Sequence, residues 1–252
     1  MIKRIVIKKK EEIRLMIEGG KKLSKVKNNL KMHVKEGVNA YDIETLATKL
    51  IQEEGCEPSF KMVPNYKWST CVNVNEGVVH GIPKKEIVFR KGDIVSVDVG
   101  AFYRGFHTDT SFTVGIDIDD KKKEFLKAGE KALSESIDKA RVGNKIYDIS
   151  KKIESVIEGS GFSPIRALVG HGVGRELHEE PQIYCFTDPT HLKNSPQIAE
   201  GMVLAIEVMY SQGSGNVGIE EDGWTISSSD GTITALFEDT IAVTKNGPLI
   251  LT

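Results

Sequence analysis

The first strong pattern in the chain lies near the N-terminus, where apolar residues recur every three to four positions between residues 11 and 34. Lysines fill most of the positions between these apolar residues, which are Ile13, Met16, Ile17, Leu23, Val26 and Leu30. Because an α-helix has 3.6 residues per turn, this spacing gathers the apolar side chains on one face. It predicts an amphipathic helix, and the same spacing predicts helices over residues 40–54, 120–140 and 146–158.

Apolar runs that an acidic residue interrupts form the second pattern. Residues 94–99 contain Asp98, residues 202–210 contain Glu207, and residues 236–243 contain Glu238. Turn-forming residues at 100–105, 222–223 and 230–231 predict hairpins, so the strands should be largely antiparallel. Helices followed by groups of strands, without the short alternation of βαβ units, predict an α+β fold.

The two halves of the chain repeat this arrangement. Residues 37–58 align without gaps on residues 143–164 at an offset of 106, and seven of the 22 positions are identical. Residues 91–98 likewise match residues 200–207, each with a glycine that enters an apolar strand and an acid at its end. We therefore interpret residues 1–252 as a single domain made of two duplicated helix-plus-antiparallel-sheet units with pseudo-twofold symmetry, roughly 37–115 and 143–244.

Composition narrows the choice of environment and partner. Of the 252 residues 39% are hydrophobic, and a net charge of −2 provides no whole-protein field that would attract nucleic acid or a membrane. The longest nearly apolar stretch is far shorter than the ~20 residues of a membrane-spanning helix. The three cysteines lack close spacing, and residues 1–10 do not resemble a secretory signal. We expect a soluble cytoplasmic protein with no membrane partner.

Charge is nevertheless distributed unevenly. Residues 1–35 contain twelve basic and three acidic side chains, a net charge of +9, which leaves −11 for the rest of the chain. Such a segment is either a solvated helix face or a docking surface for an anionic partner such as ribosomal RNA. The pattern of charges leaves both interpretations open.

The acids within apolar strands are the strongest chemical signal. A hairpin that reverses around Tyr103 and Arg104 would place Asp98 directly opposite Asp109. In the second half, Glu207 and Glu238 also interrupt apolar strands. Like charges opposite each other destabilise a sheet. Because these strands carry no lysine or arginine to pair with the acids, the pattern predicts metal cations, most simply two.

One histidine has surroundings that suit a metal ligand. His171 lies between Gly170 and Gly172, where the backbone can approach closely and the imidazole can reach a metal. The chain lacks the His-Glu-x-x-His spacing that places two ligands on one helix face, which excludes a zincin site.

Seven segments, in order along nearly the whole chain, resemble the type I methionine aminopeptidases. They are residues 75–83, 92–98, 105–111 and 170–181, the strand of Glu207, residues 223–225 and residues 238–240. The resemblance implies the pita-bread fold and two divalent metal ions, whose identity among Co, Mn, Fe and Zn it leaves open. It also implies five metal ligands, which are Asp98, Asp109, His171, Glu207 and Glu238.

The same resemblance implies roles around the metals. His80 and His178 match the family's active-site histidines that do not bind metal: His178 would hydrogen-bond the carbonyl oxygen of the substrate, and His80 its backbone. Glu207 would also move a proton to the leaving amine. The pocket for the first side chain is expected to be lined by Tyr66, Trp68, Cys71, Leu177 and Trp224. Since Leu177 replaces the family's usual phenylalanine, that pocket should be wider than in close relatives.

The resulting functional hypothesis is the removal of the initiator methionine from the N-termini of nascent polypeptides by a monomeric enzyme. Two alternatives share these residues or this fold. One is a peptidase directed at Xaa-Pro bonds, which normally carries an extra N-terminal domain. The other is a non-catalytic paralogue that associates with the ribosome or RNA, and five retained ligands argue against it.

Overall fold

The helices form where the apolar periodicity predicts them. The structure, a computed structural model, describes residues 4–252, so the first three residues of the basic segment 1–35 lie outside the described part. Its helices are α1 (Lys10–His33), α2 (Ala40–Glu53), α3 (Asp120–Ile137), α4 (Ile146–Gly159) and α5 (Pro189–Asn194). The first four confirm the predicted helices with ends shifted by up to three residues, whereas α5 has no apolar periodicity that could have revealed it.

Strands form most of the remaining regular secondary structure. In chain order they are β1 (Glu57–Pro58), β2 (Thr70–Val74), β3 (Gly77–Val79), β4 (Ile94–Tyr103), β5 (Phe106–Gly115), β6 (Ser163–Pro164), β7 (Val169–Gly172), β8 (Glu179–Tyr184), β9 (Val203–Ser211), β10 (Val217–Ile219), β11 (Ile226–Ser228), β12 (Thr234–Thr244) and β13 (Gly247–Ile250). Seven strands form the path β1-β4-β5-β12-β9-β7-β8 of one sheet, and β13, β2 and β6 join it on β12, β4 and β9. A second sheet has the order β10-β11-β3. The pairings are antiparallel, as predicted.

The helices cover one face of the large sheet. Val97 belongs to an apolar core shared with α1 and α2, and Ile206 belongs to a second core shared with α3 and α4. Because neighbouring residues of a strand point to opposite faces, Asp98 and Glu207 point away from these cores. The apolar alternation of each strand thus presents its acid on the face that points away from the helices.

The turn between β4 and β5 lies one residue later than predicted. Tyr103 pairs with Phe106, and the two loop residues Arg104 and Gly105 have φ values of +48° and +89°, as a two-residue hairpin loop of type I′ requires. Asp98 therefore pairs with Ser111, and Asp109 pairs with Gly100. The prediction that Asp98 and Asp109 face each other directly is wrong; they are diagonal neighbours.

The turn at residues 230–231 also differs from its prediction. It does not close a hairpin, because β11 pairs with β3 and β10 whereas β12 belongs to the large sheet. The predicted hairpin around residues 222–223 is confirmed by the pairing of β10 with β11.

Matched local features recur in the two halves. Gly37 and Gly143 both have positive φ, and the amides that begin α2 and α4 both donate to a segment later in the chain, Ala40 to Ile87 and Ile146 to Pro196. The two-residue strands β1 and β6 follow these helices at equivalent places. These features support our proposal of one domain built from two duplicated units. Within residues 4–252, every helix is too short or too polar to cross a lipid bilayer.

Candidate active site

A row of polar residues crosses four neighbouring strands on the face of the sheet that points away from the helices. Asp98 pairs with Ser111, Ser111 with Glu238, and Glu238 with Glu207. Residues that pair across antiparallel strands share a face. The pairing alone therefore brings three of the predicted acidic ligands into one line.

Asp109 and His171 complete the cluster from either side of this row. Asp109 lies two residues before Ser111 on β5, and its carboxyl group lies close to that of Asp98. Candidate ligand atoms of Asp109, His171 and Glu238 all lie within 4.8 Å of one another, and these three residues are buried. The His171 Nε2 atom lies 3.5 Å from Glu207 Oε1. All five residues that were expected to bind metal thus meet at one place.

The His171 ring has the tautomer that a metal ligand needs. Its Nδ1 atom lies 2.9 Å from the carbonyl oxygen of Gly172, which can only accept, so Nδ1 carries the proton. Removal from water lowers the pKa of His171 to about 3, so the ring is neutral near pH 7. The lone pair of Nε2 therefore points towards the carboxylates.

The carboxyl groups of the cluster receive little compensation from the protein beyond the Thr110 amide, which donates to Asp109 Oδ1 at 3.0 Å. Among residues 4–252, no lysine or arginine forms an ion pair with Asp98, Asp109, Glu207 or Glu238. The buried atoms Asp98 Oδ1 and Glu238 Oε1 have no hydrogen-bond partner. Such orphaned oxygens are costly in a native fold unless an ion or a water satisfies them.

Burial raises the pKa of all four carboxyl groups, and repulsion by neighbouring acids raises it further for Asp98, Glu207 and Glu238. For Asp98 the largest cause is loss of water, followed by the charge of Asp109; for Glu238 it is loss of water, followed by the charges of Asp109 and Glu207. Loss of water raises the pKa of Asp109 to about 7 and also raises that of Glu207. A divalent cation would favour the charged forms, and a donor set of carboxylates and one imidazole fits Mn, Fe, Co or Zn. The residues present therefore fit a metal centre.

A cavity of about 320 Å³ opens above the cluster. It is lined by eleven of the sequence-predicted site residues, namely Tyr66, Cys71, His80, Asp98, Asp109, His171, Leu177, His178, Glu207, Trp224 and Glu238. Trp68 is the exception, because it packs edge-on against Tyr66, with ring centroids 5.2 Å apart, and does not line the cavity.

His80 and His178 border the cavity beside the acidic cluster. The rings of His178 and His171 are T-shaped with centroids 4.5 Å apart. His80 follows β3 with a φ of +58°, and its ring meets Trp224 edge-on at 6.5 Å. Burial, followed by the neighbouring His178, lowers the pKa of His80. Both imidazoles can therefore offer hydrogen bonds to a molecule that reaches the cluster.

The opposite end of the cavity is apolar. Phe60, Tyr66, Cys71 and Leu177 form a buried cluster there, and Trp224 packs against it. The Tyr66 hydroxyl donates to the carbonyl oxygen of Thr70 at 2.9 Å, and its ring meets Trp224 at 5.0 Å. The cavity thus joins a polar floor to an apolar pocket.

Sequence reasoning missed several lining residues. They are Phe60, Val63, Val79, Ala167, Leu168, Val169 and Met209. Met209 and Val169 could have been found, because each lies two residues from a predicted ligand, Glu207 or His171, and so shares its strand face. Ala167 and Leu168 lie before β7 in a segment without periodicity, which gave no such signal.

Glu44 holds one wall of the pocket in place. This buried residue of α2 accepts hydrogen bonds from the backbone amides of Ser69 and Thr70, each at 2.9 Å, and from the Thr70 hydroxyl at 2.8 Å. Thr70 begins β2, whose next residue, Cys71, pairs with Asp98. The pocket wall is therefore tied to a helix on one side and to the strand of Asp98 on the other.

Asp222 fixes the position of Trp224 in a similar way. Its carboxylate accepts from the backbone amides of Trp224 and Thr225 at 3.0 and 2.8 Å. It also binds Lys84 Nζ at 3.0 Å, which joins the β10–β11 turn to the segment that follows His80.

Comparison with known proteins places this site in a family context. Residues 14–245 match the model of metallopeptidase family M24. The chain is 39% identical to the methionine aminopeptidase of Clostridium perfringens over 249 residues, 98% of each chain. It is also 39% identical to methionine aminopeptidase 1 of Bacillus subtilis over 98% of this chain and 99% of the relative.

Solved structures agree with these relatives. A methionine aminopeptidase from Thermotoga maritima superposes with a TM-score of 0.95, 42% identity and 99% coverage of both chains. A prolidase from Pyrococcus furiosus has a TM-score of 0.78 and 23% identity, and the match covers 98% of this chain but 65% of the prolidase. The prolidase shares the fold alone, which is the pita-bread fold expected from the sequence.

Proposed function

The chain belongs to metallopeptidase family M24, and from this premise we propose that it removes the N-terminal methionine of newly made proteins. The observation that carries the proposal is the single cavity in which a cluster of acids and His171 adjoins an apolar pocket. Relatives 36–40% identical over most of their length are methionine aminopeptidases. An aminopeptidase needs both parts, because it must recognise two features of its substrate. The acidic cluster would receive the charged N-terminal amine, and the apolar pocket would receive the first side chain.

Two divalent ions would be held by Asp98, Asp109, His171, Glu207 and Glu238. Four carboxylates and no paired lysine or arginine among the described residues support two cations, since two divalent charges balance four negative ones. When bound, such ions polarise a carbonyl group and make water a better nucleophile at neutral pH. The donor set leaves open which of Co, Mn, Fe or Zn is used.

The protein side chains around the cluster supply proton transfer and hydrogen bonds. Glu207 faces both the cluster and the cavity, so we assign it the transfer of a proton to the leaving amine. His178 donates a hydrogen bond to the oxygen of the scissile carbonyl, where negative charge develops. His80, on the Trp224 side of the cavity, binds the substrate backbone. Each assignment uses a residue within the cavity.

The apolar end of the cavity receives the methionine side chain. Tyr66 and Trp224 contribute aromatic rings and Cys71 a thiol, and a thioether makes favourable contacts with aromatic rings. Selection by such a pocket rests on shape, because one methylene changes binding by only ~1–3 kcal/mol.

The partners and the location follow from the substrate. Nascent polypeptide N-termini arise in the cytoplasm, so we propose that the protein acts there as a monomer. Docking on ribosomes through residues 1–35 stays a prediction. Several lysines of this segment already contact acidic residues or carbonyl groups within the fold, which reduces the positive charge available for docking. Lys22 and Lys25 contact Glu54, and Lys27 binds Asp239 at 2.7 Å.

Peptide cleavage by the metal-loaded protein tests the proposal. We expect Met-Ala-Ser to be cleaved faster than Leu-Ala-Ser, and Xaa-Pro peptides to be poor substrates. Cleavage of Xaa-Pro peptides with rejection of Met-Ala-Ser would replace the assignment with a proline-directed peptidase. Absence of both metal binding and cleavage would favour the non-catalytic paralogue.

A further inference from the structure

A buried ion pair involves the residue that follows His178 in the chain. Lys8 Nζ is 2.6 Å from Glu179 Oε2, and the two side chains are 2% and 7% exposed. Glu179 is the chain neighbour of His178 and the first residue of β8. Two opposite charges that are both removed from water must remain together, because separation would leave each charge buried and uncompensated. The pair is therefore a rigid link between the N-terminal segment and the start of β8.

Both partners are held by their surroundings. The Lys8 amide donates to the carbonyl oxygen of Gly201 at 2.8 Å, which attaches the N-terminal segment to the body of the protein. Glu179 Oε1 accepts from the backbone amide of Glu176 at 3.3 Å, within the loop that leads to His178. A Cβ atom on Gly174 would lie 2.5 Å from both Lys8 Cε and Glu179 Oε1, so a side chain there would displace the pair.

His178 lies between two cavities. It lines the active-site cavity on one side and, on the other, a second cavity of about 300 Å³ that Lys8, Glu179 and Arg175 also line. Its ring packs against that of His171, and the backbone of its loop sets where the ring can lie. The backbone of the loop is tied at Gly174, whose carbonyl oxygen accepts from the His107 amide at 2.7 Å, and at Glu179.

We propose that Lys8 and Glu179 are positioning residues that hold His178 in place for the substrate carbonyl oxygen. The inference rests on the proposed function, in which His178 donates that hydrogen bond. Lys8 itself touches no reacting atom and acts only through Glu179 and the loop. A misplacement of about 1 Å in a catalytic group can lower a rate about 100-fold, so loss of the pair should lower turnover more than it weakens substrate binding.

The test compares Lys8→Met in two backgrounds, the parent and His178→Ala, each with metal content and thermal unfolding measured. In the parent we expect kcat for Met-Ala-Ser to fall about 10- to 100-fold with KM changed less than about threefold. In His178→Ala we expect Lys8→Met to cause no further fall. Glu179→Gln, which keeps the size of the side chain, should reproduce the result if Lys8→Met folds poorly. Lys152→Met, which breaks the distant Lys152–Glu135 pair, is the matched control and should leave kcat unchanged.

The outcomes separate this inference from the proposed function. If His178→Ala lowers kcat but Lys8→Met and Glu179→Gln do not, the positioning role is wrong and the function stands. If Lys8→Met lowers kcat equally in both backgrounds, the pair supports the fold generally and the inference is again overturned. If His178→Ala leaves kcat unchanged, the proposed role of His178 fails, and the positioning role fails with it.

Discussion

Glu207 of β9 and Glu238 of β12 lie directly opposite each other in the central sheet. Like charges in this position destabilise an antiparallel pair. The strands nevertheless pair along nine residues without interruption, from Thr234 with Ser211 to Ala242 with Val203. A divalent cation held beside these carboxylates would offset the repulsion between them.

Asp109 is the ligand whose loss should disturb the whole metal centre. It contacts Asp98 on one side and shares the group with His171 and Glu238 on the other. We expect Asp109→Ala to lose metal at both sites and to lose activity, as measured by elemental analysis of the purified protein. Asp117→Ala, at an exposed residue paired with Lys91, should retain full metal content. A normal metal content in Asp109→Ala would remove the basis of the assignment.

The metal-free protein should show an unusual pH dependence of stability. Burial raises the pKa of Asp109 from 3.8 to about 7 in the folded state. Its contribution to stability is therefore complete below about pH 4 and is lost as the pH rises towards 7. The lowered pKa of buried His171 has the opposite effect, because it makes the folded state more stable as the pH rises. The comparison of metal-free parent with metal-free Asp109→Asn isolates the carboxyl group.

We expect the parent, relative to Asp109→Asn, to become less stable as the pH rises from about 4 to 7 in thermal unfolding experiments. Added metal should abolish this loss in the parent, because the ion favours the charged carboxylate. A parent protein that gains stability relative to Asp109→Asn over this interval would contradict the assigned environment of Asp109.

Glu44 should control selectivity from outside the cavity. Glu44→Gln places an amide donor against the amides of Ser69 and Thr70, and a lost buried hydrogen bond costs about 1–3 kcal/mol. We expect reduced thermal stability and a smaller ratio of kcat/KM for Met-Ala-Ser over Leu-Ala-Ser, because the wall that carries Cys71 loosens. Glu53→Gln, at the exposed end of the same helix, serves as the control. An unchanged ratio would restrict Glu44 to a role in stability.

Leu177 should set the width of the apolar pocket. It is a buried member of the pocket cluster, immediately before His178. Leu177→Phe fills part of the cavity, so we expect the preference for methionine over leucine to rise roughly tenfold in kcat/KM. Leu177→Met, which conserves the volume, should change the preference little. A preference that stays the same in Leu177→Phe would mean that this side chain does not contact the first residue of the substrate.

Three of the proposed metal ligands, Asp98, Glu207 and Glu238, could be singled out from the sequence because each one interrupts a strong apolar pattern. Asp98 and Glu207 are charged residues within valine- and isoleucine-rich strands, and the period of two fixes the face on which they lie. The register was predicted less well. A shift of the turn by one residue, to Arg104 and Gly105, moved the partner of Asp98 from Asp109 to Ser111.

Features that depend on contacts between distant segments could not be predicted. Ala167 and Leu168 line the cavity because the loop before β7 folds over it, and nothing local marks them. The Lys8–Glu179 pair joins residues 171 positions apart. From the sequence, Lys8 is one of many lysines in a basic segment, and only the fold shows that it is buried.

The structure also changes which lysines can test ribosome association. Lys22 and Lys25 contact Glu54 of the loop after α2, so charge reversal there would damage the packing of the first two helices as well as any docking surface. Three exposed lysines of the same region form no ion pair among the described residues, and they are Lys21, Lys31 and Lys35. They are the better targets because only their surface charge changes.

If residues 1–35 dock on ribosomal RNA, co-sedimentation with ribosomes should weaken steeply as salt rises, since phosphate contacts release counterions. Charge reversal of Lys21, Lys31 and Lys35 to glutamate should then abolish co-sedimentation and leave peptide cleavage unchanged, because none of the three lines the cavity. The same reversal at three exposed lysines elsewhere, Lys121, Lys127 and Lys193, controls for total charge. If both triple variants bind equally, or if the parent fails to bind at low salt, the basic face of α1 is a solvated surface and its charge has no role in docking.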